Sequence, residues 1–170
     1  MIRTIFWALG ILAIVLLLQT TVLSYFVVLG VKADILLVVF VILATQNGSF
    51  ASQIVGFFLG LAVDTVTTSP LGYHAFLFSL AGYLFGLGSG KVYFDPLVMP
   101  VFLGFLATAF ELIVGFLLNT VFRLGQPLSA YLNIGEVFQL ILNLLLSPVV
   151  FWFFGWVKEK FQNPRRGFGG

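Results

Sequence analysis

The chain has 170 residues, of which 61% are hydrophobic and only 8% charged, with a formal net charge of +2 at pH 7. Soluble domains carry about 25% charged residues, so eight basic and six acidic side chains cannot cover a water-facing surface of this size, and the excess apolar surface has to face lipid. The absence of Cys and the single His74 exclude disulfide frameworks, thiolate sites and a His-only metal cage within one chain, while basic residues collected at the chain ends exclude a nucleic-acid groove.

Arg3 and the apolar run that follows it from residue 5 have the outline of a secretory signal. The run continues past Thr20 and Thr21 to Leu29 with no small-residue cleavage site, which predicts an uncleaved first pass. Lys32, Ala33 and Asp34 separate it from a second apolar stretch over 35–66, interrupted by Gln46, Asn47, Gly48 and Ser49. One helix over 35–66 would be about 48 Å long at 1.5 Å per residue, well beyond a hydrocarbon core of about 30 Å. Two short passes with a break near Asn47 and Gly48 are therefore expected. Further passes over 73–88, 97–122 and 134–156 bring the total to six, which predicts an all-α, polytopic membrane protein folded as one compact six-helix bundle. Residues 1–157 form its single domain and 158–170 a short basic tail.

Six passes place both termini on one side, with Arg3, Lys91, Lys158, Lys160, Arg165 and Arg166 against Lys32 and Arg123 on the other. The positive-inside rule then predicts cytoplasmic termini. Reading 35–66 as one pass leaves the charge split unchanged, so helix length rather than charge decides the count. Trp152 and Trp156 beside Lys158 and Lys160 have the pattern of an interface anchor.

Ser52, Gly56, Gly60 and Asp64 recur every four residues, so on a helix they form one stripe of small side chains ending in a carboxylate. In lipid, helices associate through close backbone approach, which such a stripe permits; it suits packing within the bundle or a partner's helix. Gly82, Gly86 and Gly90 repeat the spacing. Asp64 precedes Thr65, Thr67, Thr68, Ser69 and a Pro70-Leu71-Gly72 turn, and it either sets that turn or serves as a ligand or subunit contact. His74 reads as an interfacial hydrogen-bonding residue, since no second metal ligand stands at helical spacing.

Glu111 lies midway along the fifth pass and is the most deeply intramembrane charge. It requires a proton, a polar partner such as Asn143, or a wet cavity. Asp34 pairs with Lys32 in a loop or belongs to a recognition surface. Ser147-Pro148 and Asn119 add polar or kinked positions to the last two passes. No paired-carboxylate cluster, phosphate loop, Ser-His-Asp set or HExxH is present, so no enzyme, cofactor or metal is expected.

Lys32-Ala33-Asp34-Ile35-Leu36 followed by Gly48, Gly56, Gly60, Asp64 and Pro70-Leu71-Gly72 resembles the rod shape-determining protein MreD family. The motif match covers about residues 28–90, with Ala33 standing where the family usually has Pro. The resemblance implies a non-enzymatic inner-membrane subunit of the cell-elongation machinery that binds MreC and links MreB filaments to the polymerase RodA and its partner transpeptidase. Ser52, Gly56, Gly60, Asp64, Pro70 and Gly72 are then the expected partner-binding residues. A homo-oligomer within a larger complex is compatible with it. The family is also similar in fold to the substrate-binding subunits of energy-coupling-factor vitamin transporters, which supplies the alternative: a pocket for a small polar molecule lined by Glu111, Asn143, Asp64 and Asp34.

Overall fold

A computed structural model describes residues 2–21, 34–90, 98–123, 125 and 133–162, with the backbone alone for 2–4 and 154–162. Six helices account for nearly all of them: α1 (Ile2–Thr21), α2 (Ile35–Asn47), α3 (Ser49–Val66), α4 (Tyr73–Gly86), α5 (Val98–Phe122) and α6 (Ile134–Gln162). The described residues contain no strand. The six expected passes are all helical, and the last helix runs on to Gln162, into the segment read as tail. Lys32, Ala33, Lys91, Asp95, Pro127, Arg165, Arg166 and the extension of the first pass to Leu29 lie outside the described residues, as do the side chains of Trp156, Lys158 and Lys160.

Three helices, α3, α5 and the 134–153 part of α6, are long and apolar enough to cross a membrane. α2 is different in kind. It is apolar around its whole circumference, and every side chain from Leu36 to Ile42 is at most 2% exposed, the signature of a helix buried on all sides. It touches each of the other five helices and forms the axis of the bundle. Its 13 residues amount to about 20 Å, short of the roughly 30 Å of hydrocarbon.

The break between α2 and α3 sits at Gly48, whose φ of 84° and ψ of 158° belong to a region open essentially to glycine. Ser52 Oγ reaches back across this break to the Ala44 carbonyl at 3.3 Å, satisfying one of the acceptors left free by the end of α2. α5 carries Pro100 in its first turn, where no intrahelical donor is lost. Pro148 interrupts α6 and cannot donate to the Leu144 carbonyl; Ser147 Oγ donates to it instead at 3.0 Å.

Candidate functional site

Polar groups inside the bundle gather at two junctions. The first closes the α3–α4 hairpin, the most extensive helix pairing in the molecule. Gly56 and Gly60 face α4 so closely that a methyl group on either would overlap backbone, at the Phe78 carbonyl and at His74–Ala75 respectively. Gly82 and Gly86 return the contact, with their missing side chains replaced by the backbone of Ser52 and Ser49. The small-residue stripe is therefore occupied by the chain's own fourth helix. Phe40 of α2 seals it from one side, edge-on to Phe78 at 5.3 Å between ring centroids.

Asp64 lies at the far end of this stripe with its side chain fully buried. Its Oδ2 accepts from Gly72 N at 2.8 Å and Ala75 N at 3.3 Å, and its Oδ1 from His74 N at 2.9 Å. His74 Nδ1 lies 2.8 Å from Oδ1. Tyr73 N donates to the Pro70 carbonyl and Phe76 N to Gly72, so every donor in the first turn of α4 has an acceptor. A residue of α3 thus caps α4, where the positive end of the helix dipole favours a carboxylate. Gly72, at φ 96°, adopts the left-handed conformation that brings its N–H toward the carboxylate. Of the two roles open to Asp64, the geometry realises turn-setting. Among the described residues no group of three His, Cys, Asp or Glu side chains is arranged for a metal.

The second junction lies at the start of α2, facing the middle of α5 and α6. Asp34 caps α2 through a 3.0 Å bond from Leu37 N. Gln19 of α1 donates to Asp34 Oδ1 at 3.2 Å and accepts from Leu36 N at 2.7 Å. Asn143 Oδ1 accepts from Asp34 N at 3.0 Å, and Asn143 Nδ2 donates to Thr108 Oγ1 at 3.0 Å. Thr108 Oγ1 in turn donates to the Gly104 carbonyl at 3.0 Å. α1 and α6, with α5 behind Asn143, thereby supply the partners that a helix start requires. Asp34 is an interior cap rather than a loop residue.

This network extends along the α5–α6 seam. Gln139, Asn143 and Ser147 stand at successive fours on α6, and Gly104, Thr108 and Glu111 run along the facing side of α5. Gly104 leaves room for Ser147, whose Cβ would be 3.1 Å from a methyl group there. Glu111 is bonded to Gln139, not Asn143, with Nε2–Oε2 at 3.3 Å. The structure thus joins Asp34 directly to Asn143 and sets Glu111 one turn away on the same seam, while Asp64 belongs to the separate hairpin junction. Gln19, Thr108 and Gln139 are the residues that sequence reasoning missed. For Thr108 and Gln139 the four-residue spacing to Gly104 and Asn143 was a usable signal; for Gln19, near the end of α1, there was none.

These features define a polytopic α-helical membrane protein whose interior polar groups are spent mainly on joining helices. A family model described as rod shape-determining protein MreD matches residues 1–160, and the chain belongs to that family. No curated protein and no solved structure matches it, and the implied likeness in fold to transporter subunits gains no support from them. Family membership assigns the chain a role in rod-shape determination as a membrane protein.

Proposed function

We propose that the chain is a non-enzymatic membrane scaffold of the elongation machinery, binding MreC and through it coupling cytoplasmic MreB to peptidoglycan synthesis by RodA and its partner transpeptidase. The observation that carries this reading is the family match over residues 1–160, supported by a bundle that spends Asp64, Asp34 and Asn143 on helix capping. In this reading Ser52, Gly56, Gly60, Asp64, Pro70 and Gly72 act from within. They lock α3 to α4 and make the hairpin a rigid element on which a partner's surface can rest, since a partner cannot use glycines already covered by α4.

Both termini lie in the cytoplasm of the inner membrane in this reading, following the distribution of basic residues. The chain has no Cys, so single cysteines introduced at each end can be labelled from one side of intact cells; labelling of either end from outside would refute that orientation. The scaffold itself is tested by a mild-detergent pull-down of the tagged chain from its native cells, with partners identified by mass spectrometry. MreC and wall-synthesis proteins are the expected recovery; a coupling subunit with paired ATPases would replace the scaffold with a transporter.

A further inference from the structure

Basic and acidic residues are distributed along this chain in opposite senses. With six passes, the end of the bundle that carries the termini holds Arg3, Lys91, Lys158, Lys160, Arg165 and Arg166 against the acids Asp95 and Glu159. The other acids lie elsewhere: Asp34 caps the start of α2, Asp64 stands near the end of α3, Glu136 is in the first turn of α6 and Glu111 is in the middle of α5. Four of the six basic residues, with Glu159 as the one acid among them, fall within 158–166. Orientation by positive charge works wherever in the short loops that charge falls, and it does not call for a cluster directly after one helix.

The backbone of α6 sets the depth at which the cluster begins. The apolar span of this helix ends at Phe153, yet the helix runs on to Gln162. At 1.5 Å per residue Lys158 stands about 7.5 Å beyond Phe153 along the helix, and Lys160 about 10 Å. The headgroup layer adds roughly 5–7 Å on each side of the hydrocarbon, so α6 carries these two positions to the level of the lipid phosphates. Trp152, 72% exposed, lies just inside that level, where an indole ring favours the interface. Lipid phosphates surround the helix at this depth without being recruited, whereas an acidic protein segment would first have to be ordered there.

We propose that residues 158–166 form a binding surface for anionic phospholipid headgroups, with Lys158, Lys160, Arg165 and Arg166 as the cationic partners of the phosphates. Four or more Lys and Arg immediately after a transmembrane helix draw acidic lipid through the field at the membrane surface, which decays within a Debye length. The inference stands apart from the scaffold reading: it concerns lipid alone, and its failure would leave that reading untouched.

The test uses the purified full chain in nanodiscs of phosphatidylcholine with a minor fraction of phosphatidylglycerol, identical in both leaflets so that orientation does not matter. Trp7→Phe leaves Trp152 and Trp156 as the only indoles, and their fluorescence is quenched by bromine placed on the acyl chains of one lipid or the other. At equal mole fraction of the brominated species, quenching by phosphatidylglycerol should exceed that by phosphatidylcholine at least about twofold at low salt. The excess should vanish near 1 M salt, where the Debye length is about 3 Å. Replacing Lys158, Lys160, Arg165 and Arg166 by Gln should abolish it, whereas Arg3→Gln with Lys91→Gln should leave it in place. The salt series needs no change in the cluster, so a fourfold variant that fails to fold leaves the test intact. Equal quenching by the two lipids in the chain with an unaltered cluster overturns the proposal, as does an excess that high salt does not diminish. An excess kept by a well-folded fourfold variant, or lost equally in the Arg3 and Lys91 variant, also overturns it, because the attraction would then belong to the charge of the whole chain and not to this segment.

Discussion

The α3–α4 hairpin and the α5–α6 pair both bring two helices together through small and polar residues, but they differ in what is left over. In the hairpin, glycines on both helices meet backbone, and the buried Asp64 is saturated by three backbone donors and His74. Along the α5–α6 seam the polar ladder runs through Asn143 and Thr108 to Glu111, which among the described residues accepts one bond, from Gln139. A junction closed by backbone donors leaves little freedom to its helices, whereas one made by a few side chains can adjust. The hairpin is accordingly the more rigid of the two, and the seam the more adaptable.

The most severe test of this contrast is Asp64→Leu. It strands the N–H groups of Gly72, His74 and Ala75 in a buried site, at roughly 1–3 kcal/mol each. A loss of about 3–5 kcal/mol is expected, read as collapse of the monodisperse peak in detergent size-exclusion. Asp64→Asn keeps one acceptor and should lose less. Equal tolerance of Leu and Asp at this position would show that the cap contributes nothing.

Gly60→Ala comes next. The added methyl meets the backbone of His74 and Ala75, which cannot rotate away as a side chain would, so α3 and α4 must separate. Overpacking of this kind costs typically 1–3 kcal/mol, measured as a lower thermal midpoint in detergent. Asn143→Leu should fall in the same range or below, because it leaves Asp34 N and Thr108 each short of one partner. Its effect should be local, loosening the start of α2 while the hairpin stays intact. Proteolysis or hydrogen exchange confined to the first turn of α2 would show this, whereas protection lost along α3 and α4 would contradict the separation of the two regions.

Much of the architecture was legible because the bilayer imposes lengths. The stretch over 35–66 was too long for one pass, and the break falls at Gly48, where only glycine suits the backbone. The stripe of Ser52, Gly56, Gly60 and Asp64 was legible as a close-approach surface but not as to its occupant, since an internal helix and a partner's helix demand the same small residues. Asp34 was harder still. Its neighbours in sequence suggest a loop, and its place as a cap joined to other helices depends on Gln19 and Asn143, which are 15 and 109 residues away. The α6 ladder of Gln139, Asn143 and Ser147 did carry a periodic signal, and following it to the facing side of α5 would have found Thr108 before the structure did.

The smallest expected effect makes the sharpest comparison, because it repeats one substitution in the other region. Gly104→Ala adds the same methyl as Gly60→Ala, but its nearest neighbours are Ser147 Cβ at 3.1 Å and Ser147 Oγ at 3.2 Å, a short side chain rather than backbone. A shift of a few tenths of an ångström accommodates it, and the gain of about 0.5–1 kcal/mol from replacing glycine inside a helix opposes the crowding. The net change should stay within about 1 kcal/mol of zero. The two variants, unfolded side by side in one detergent, should therefore separate clearly in midpoint, with Gly60→Ala the lower. Coincident midpoints would mean that both seams are packed to the same tolerance, and the division into a rigid hairpin and an adaptable α5–α6 face would have to be abandoned.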